Sequence, residues 1–254
     1  MNHLHIETFG HGPDLALLHG WGMHGGVWAS VRDALAPHFR VHVVDLPGYG
    51  ESETCTPYTL DEIARRIAGQ LPYGAAICGW SLGGQVAMKL ALEYPAIVRA
   101  LVLVAATPKF VMSDNWREGI DQNILMAFSE NLEQDYEGTL KRFLSLQARS
   151  GEDARHVMMT LRDQLFARGR PASDALQGGL DILLHEDLRK DIGLMEQRTL
   201  LIHGTHDTLV PPGAAEWMSS RLQHAALHMV SGSAHAPFLS HQNEFIEAMK
   251  KFLT

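Results

Sequence analysis

The chain has 254 residues, 46% of them hydrophobic, with 21 basic against 29 acidic side chains and a formal charge of −8 when its fifteen histidines are neutral. That composition excludes disordered, collagen-like and coiled-coil classes, and the length suits one α/β unit, a type that often runs to about 250 residues. The acidic balance, with no basic block, argues against nucleic acid, whose binding draws on Lys and Arg displacing counterions from phosphates, and no apolar run approaches the roughly 18 residues of a membrane span.

Met1-Asn2-His3-Leu4-His5 lacks the cationic segment and apolar run of a secretory leader, and Cys55 and Cys78 are too few for a disulfide framework. The chain is expected to be cytoplasmic. Short apolar runs then alternate with helical patterns, as in βαβ units around a parallel sheet. Residues 15–18, 41–44, 75–78 and 101–104 read as buried strands. Thr59 reads as an N-cap with Glu62 three residues on, and Ile63 and Ile67 follow at helical spacing. Pro95 bounds the helix after Ser81. From about Pro108 to Arg198 the strand signal lapses, and Leu125, Phe128, Leu132, Leu140, Phe143, Leu144, Leu161 and Leu165 recur at helical intervals. Strand patterns resume at 199–204 and 227–230, with helices near 214–222 and from Asn243. The expected architecture is α/β: a mostly parallel central sheet flanked by helices, built from residues 1–107 and 199–254, with residues 108–198 inserted as a helical lid.

Gly79-Trp80-Ser81-Leu82-Gly83 stands between a strand and a helical pattern from Gln85, the context in which a Gly-x-Ser-x-Gly turn projects its hydroxyl from a sheet edge. A serine attacks only when a base takes its proton and a third group orients that base. In the order Ser, acid, His, the loops after the last two strands supply Asp207 and His235. Asp45 is a rival acid, although its turn through Gly50 gives it a capping role, and His241 lies too far into the last helix to be the preferred base. His203-x-x-His206 lacks a third ligand at a familiar spacing, so no metal site is expected. The oxyanion formed on attack needs donors, and the N–H groups of Leu82 and of Trp21, in His19-Gly20-Trp21-Gly22, are placed to give them. The Trp21 ring would wall the substrate pocket. Gly20-x-Gly22-x-x-Gly25, with Asp45 twenty residues on, imitates a dinucleotide fingerprint. Trp21 and Met23-His24 crowd that turn, and no tyrosine has Lys four residues later, so no NAD or other cofactor is expected.

From Leu15 to Leu253 these residues resemble the α/β-hydrolase family, and within it the pimeloyl-[acyl-carrier protein] methyl ester esterases of biotin synthesis. Leu17-Leu18-His19-Gly20-Trp21-Gly22, Val44-Asp45-Leu46-Pro47-Gly48, Gly79-Trp80-Ser81-Leu82-Gly83-Gly84, Arg142-Phe143-Leu144-Ser145-Leu146-Gln147, Gly178-Gly179-Leu180-Asp181-Ile182-Leu183 and Ala234-His235-Ala236-Pro237-Phe238 are all similar to them. The resemblance implies the α/β-hydrolase fold, a triad of Ser81, Asp207 and His235, and an oxyanion hole of Trp21 and Leu82. It also implies substrate contacts from Trp21, Phe143, Leu144, Ser145, Leu146 and Gln147. The implied reaction is that of a serine carboxylesterase, in which a pimeloyl methyl ester carried on acyl-carrier protein is hydrolysed with release of methanol. From Lys141 to Arg170 seven basic residues meet three acidic ones, a local charge of +4 that suits an acidic carrier. Arg142, Arg149, Arg155 and Arg162 form the expected carrier patch, the last two on one helix face. Gly138 and Met159 stand where the family carries further arginines. The same triad would also serve another small ester, a lactone or a carbon–carbon bond, or stand idle in a ligand receptor or carrier-binding module. The chain is expected to act as a monomer.

Overall fold

In the computed structural model, which describes residues 3–132, 134–148 and 153–254, the chain opens with β1 (Ile6–Phe9) and β2 (Asp14–Leu18). A 3₁₀ turn (Gly25–Trp28) leads into α1 (Ala29–Leu35), β3 (Arg40–Val44), α2 (Leu60–Ala68), β4 (Ala75–Trp80), α3 (Leu82–Glu93) and β5 (Val98–Val104). Next come the helices α4 (Gln122–Leu132), α5 (Tyr136–Ala148), α6 (Ala154–Gln164) and α7 (Ser173–His185). The chain then returns to the sheet as β6 (Arg198–Gly204), α8 (Pro212–Arg221), β7 (Ala225–Val230), a short α9 (Pro237–Ser240) and α10 (Gln242–Leu253).

The sheet has the order β1-β3-β2-β4-β5-β6-β7. Only β1 runs antiparallel to its neighbour, with Ile6 opposite Val44. Every residue of β4 is buried, because helices cover both faces of a parallel sheet and the strand therefore reads as a continuous apolar run. β1 was not foreseen. At the sheet edge Ile6-Glu7-Thr8-Phe9 is short and half-exposed, so its pattern does not stand out from a loop. At α2, Thr59 Oγ1 accepts the Glu62 N–H at 3.3 Å, and Ile63 and Ile67 are buried. The second half of the capping box is not made, because the Glu62 carboxylate takes Arg65 and Arg66 instead.

The chain steps outward from β2 to β3 and then returns past β2 to β4, so its direction across the sheet reverses between β2 and β4. In open parallel sheets the crevice at the carboxyl ends of such a pair is where ligands bind. The loops leaving β2, β4, β6 and β7 emerge at that edge, and α4–α7 pack over them. Both cysteines are free and buried. Among the described residues no helix is long and apolar enough to cross a membrane.

Candidate active site

Ser81 joins β4 to α3 with φ 57° and ψ −117°, a left-handed conformation that costs a residue with a Cβ about 1–3 kcal/mol. Its neighbours hold it there. Ser81 N donates to Val104 O at 3.0 Å, and Ser81 O accepts from Gly84 N at 2.9 Å. A Cβ on Gly79 would strike the Gly83 carbonyl, and one on Gly83 would come within 2.5 Å of Leu18 O and 2.6 Å of His19 O. Glycine at these positions is what lets β4, α3 and the loop after β2 converge. That loop brings Gly20 against the Ser81 side chain, so that a Cβ on Gly20 would sit 3.2 Å from Ser81 Cβ. The N–H groups of Leu82, first residue of α3, and of Trp21 donate to no other described residue.

The loop after β7 carries His235, and the loop after β6 carries Asp207; both are buried. His235 Nδ1 lies 2.7 Å from Asp207 Oδ2. A carboxylate only accepts, so Nδ1 bears the proton and Nε2 keeps its lone pair. Asp207 Oδ1 accepts the N–H groups of Leu209 and Val210, each at 2.9 Å. Burial works to raise the Asp207 carboxyl, but the His235 imidazole and the hydrogen bonds from His203 and His235 hold it far below the usual carboxylate range. The His235 backbone is held on both sides, its N–H by Gln147 O of α5 at 3.2 Å and its carbonyl by Trp80 Nε1 at 2.8 Å. His235 Nε2 is buried and has no hydrogen-bond partner among the described residues, Ser81 included. Such bonds are often long without substrate and tighten in the complex.

Asp45, the rival acid, is occupied elsewhere. Its Oδ1 accepts Gly25 N at 2.6 Å, and its Oδ2 accepts Glu51 N at 3.0 Å and Arg168 Nη1 at 3.1 Å. It therefore braces the loop after β2, and the carboxylate that a dinucleotide's ribose would need is already filled. His241 precedes α10 rather than lying inside it, with Nδ1 2.9 Å from Ser240 Oγ. Among the described residues no group of three His, Cys, Asp or Glu is placed to hold a metal ion.

His19 completes the brace. Its Nδ1–H donates to Gly20 O at 2.8 Å and its Nε2 accepts Leu46 N–H at 2.9 Å, a pairing open only to the neutral ring. Burial lowers its pKa to about 4, against the pull of Asp45. The unfolded chain thus binds a proton near pH 6.5 that the folded one refuses until about pH 4. Stability is full above that window and falls as pH drops through it, by about 3 kcal/mol for this group. Urea midpoints measured from pH 7 to 4 should decline, and His19→Gln should flatten the decline; an unchanged slope in that variant would contradict the assignment.

Helices α4, α5 and α7 gather around Trp21. Trp21 Nε1 donates to Leu176 O of α7 at 2.9 Å, and its ring meets Phe143 of α5 edge-on at 4.7 Å, with Phe128 of α4 behind at 5.7 Å. Gly179 of α7 lies so close that a Cβ there would be 2.6 Å from Trp21 Cδ1. Phe143, Leu144 and Gln147 are buried and Leu146 is half-buried, but Ser145 is exposed and its Oγ turns back to Lys141 O at 2.9 Å. Ser145 does not join the Trp21 group. Phe128, Leu176 and Gly179 were not among the expected contacts; the paired glycines at 178–179, inside a helical run, were the available signal of close approach.

Of the arginines expected to meet a carrier, Arg142 pairs with Asp135 at 3.0 Å and Thr139 at 2.9 Å. Arg155 and Arg162 are exposed on α6 and have no ion pair among the described residues. Arg149 lies outside the described residues. Arg168 binds Asp45 and Glu7, and Arg170 binds Glu137, so part of the local charge is neutralised at home.

A family model described as the alpha/beta hydrolase fold matches residues 15–242. The chain is 45% identical to a pimeloyl-[acyl-carrier protein] methyl ester esterase of Nitrosospira multiformis, over 98% of this chain and 97% of that protein. It is 48% identical to the protein of that name from Nitrosomonas europaea, over 97% and 98% respectively. Among solved structures, an esterase from Exiguobacterium antarcticum superposes with a TM-score of 0.87 at 25% identity, covering 98% of this chain and 94% of that one.

Proposed function

This chain belongs to the alpha/beta hydrolase family, among the pimeloyl-[acyl-carrier protein] methyl ester esterases, and on that premise we propose that it is a serine carboxylesterase converting pimeloyl-[acyl-carrier protein] methyl ester to pimeloyl-[acyl-carrier protein] and methanol. One observation carries the chemistry: a buried Asp207–His235 pair leaves Nε2 without a partner among the described residues, and Trp80, which precedes the strained Ser81, bonds the His235 carbonyl. Ser81 Oγ attacks the ester carbonyl while His235 Nε2 takes its proton. The N–H groups of Trp21 and Leu82 hold the oxyanion. The intermediate collapses as His235 returns the proton to the leaving methoxide, and methanol departs. Water, deprotonated by the same nitrogen, then cleaves the acyl-enzyme. Asp207 keeps the proton on Nδ1 and steadies the imidazolium. Trp21, Phe143, Leu144, Leu146 and Gln147 line the acyl chain, with Phe128 and Leu176 behind them.

The carrier side rests on Arg155 and Arg162, with Arg142 contributing less because it is already paired. The free cysteines support a cytoplasmic setting. The test is methanol release from pimeloyl-carrier methyl ester and from free pimelate methyl ester, by wild type and by a double variant, Arg155→Glu with Arg162→Glu. On the carrier substrate the variant should lose about tenfold in kcat/KM at low ionic strength, and the gap should close as salt screens the field. On the free ester the two proteins should match. Equal rates on the carrier ester at every ionic strength would remove the arginine patch, and no methanol from either substrate would remove the esterase.

A further inference from the structure

His203 stands next to last in β6 and is 1% exposed. Its Nε2 lies 2.9 Å from Val210 O and 3.4 Å from Asp207 Oδ2. A carbonyl only accepts, so this nitrogen bears the proton, and the same N–H faces the carboxylate oxygen that already receives His235. Val210 in turn gives its own N–H to Asp207 Oδ1. Strand imidazole, loop carbonyl, loop amide and carboxylate thus close into a ring. Asp207 sits in a loop, whereas β6 is paired along both edges, to β5 and β7. Besides the bond from Asp207 N to Gly204 O at 3.3 Å, the ring is the tie that holds the carboxylate end of this loop to β6.

We propose that His203 is a positioning residue for the acid: it fastens the Asp207–Val210 turn to β6 and, through its N–H at Oδ2, fixes the carboxylate orientation that receives His235 Nδ1–H. The inference rests on the esterase reading above. Asp207 stabilises the imidazolium only while Oδ2 stays in line with Nδ1, and a carboxylate freed to turn loses that alignment. Asp207 is the one ion-pair partner of His235 among the described residues. α5 and β4 bring Gln147 and Trp80 against His235, neither of them charged. His206, on the acid's own loop, is exposed. Asp207 is therefore the charged group through which a change at His203 reaches His235.

His203→Phe keeps a ring and removes the donor, while His203→Gln restores a donor at the reach of Nε2. Losing the acid entirely costs about 10⁴-fold, so losing its alignment should lower kcat by about tenfold to a hundredfold, with KM within about twofold. The acid limb of kcat/KM should move about half a pH unit lower, because the imidazolium is less stabilised. His203→Gln should return to within about threefold of wild type, with the wild-type pH profile. A residue needed only for folding would lower thermal stability and leave the profile where it was. If His203→Phe does not fold, His203→Asn, whose donor is too short to reach, gives the same contrast with His203→Gln. The low-field Nδ1 proton of His235 in NMR spectra should weaken or shift in the Phe or Asn variant and persist in the Gln variant. Wild-type kinetics and pH profile in His203→Phe or His203→Asn, or a His203→Gln enzyme as slow as either, would overturn the proposal. A wild type that hydrolyses no ester would instead defeat the esterase reading, and the His235 proton signal would still judge His203.

Discussion

Ser81→Ala should lower kcat for methyl-ester hydrolysis by on the order of 10⁶, since the serine and its base act as one unit. Substrate should still bind, because the walls around Trp21 and Phe143 do not depend on the hydroxyl. The backbone gives this prediction a second arm. With φ at 57°, serine and alanine would bear similar strain at this position, whereas Ser81→Gly removes the Cβ responsible for it. The glycine variant should be equally inactive yet more stable by about 1 kcal/mol. Paired denaturant and turnover measurements on the three proteins would separate the two effects. A glycine variant no more stable than wild type would mean that the turn carries no strain, and alanine activity near wild type would mean that another residue attacks.

Asp207→Asn should cost about 10⁴-fold in kcat with little change of fold. An amide placed at Oδ2 can turn its NH₂ toward His235, which then carries its proton on Nε2 and cannot accept one from Ser81. The same carboxylate has a signature in stability. Its pKa is lowered by His235 and His203 in spite of burial, so it contributes stability that is full above the unfolded carboxyl's pKa, near 3.9, and is lost as pH falls below it. Wild type should therefore lose stability in acid more steeply than Asp207→Asn. Kinetics at pH 7 and unfolding curves from pH 7 to 3 would check both halves; an asparagine variant within tenfold of wild type would point to another acid.

Legibility followed the dimensionality of the signal. β2, β4, β5 and β6 are buried on both faces and announce themselves as apolar runs in the chain, and the glycines around Ser81 mark a turn that only close approach explains. β1 did not announce itself, because an edge strand shares its pattern with loops. The order of Ser81, Asp207 and His235 along the chain, each after a strand, is also a one-dimensional property. The surroundings of Trp21 are not: its indole partner Leu176 lies 155 residues away, and the Arg168 that occupies Asp45 lies 123 residues from it. Charge counting from Lys141 to Arg170 left out partners beyond that stretch for the same reason, since Arg168 and Arg170 pair with Glu7, Asp45 and Glu137. In the chain His203 stands out only as half of a His-x-x-His pair without a third ligand, because its approach to the acid loop is a property of the fold.

The most direct test is to trap the covalent species. Wild type exposed to a fluorophosphonate, or quenched in acid during turnover of pimeloyl-carrier methyl ester, should yield one modified peptide on digestion, with the added mass on Ser81 and no such peptide from Ser81→Ala. Mass carried on any other side chain, or labelling that survives in Ser81→Ala, would show that this hydroxyl is not the nucleophile.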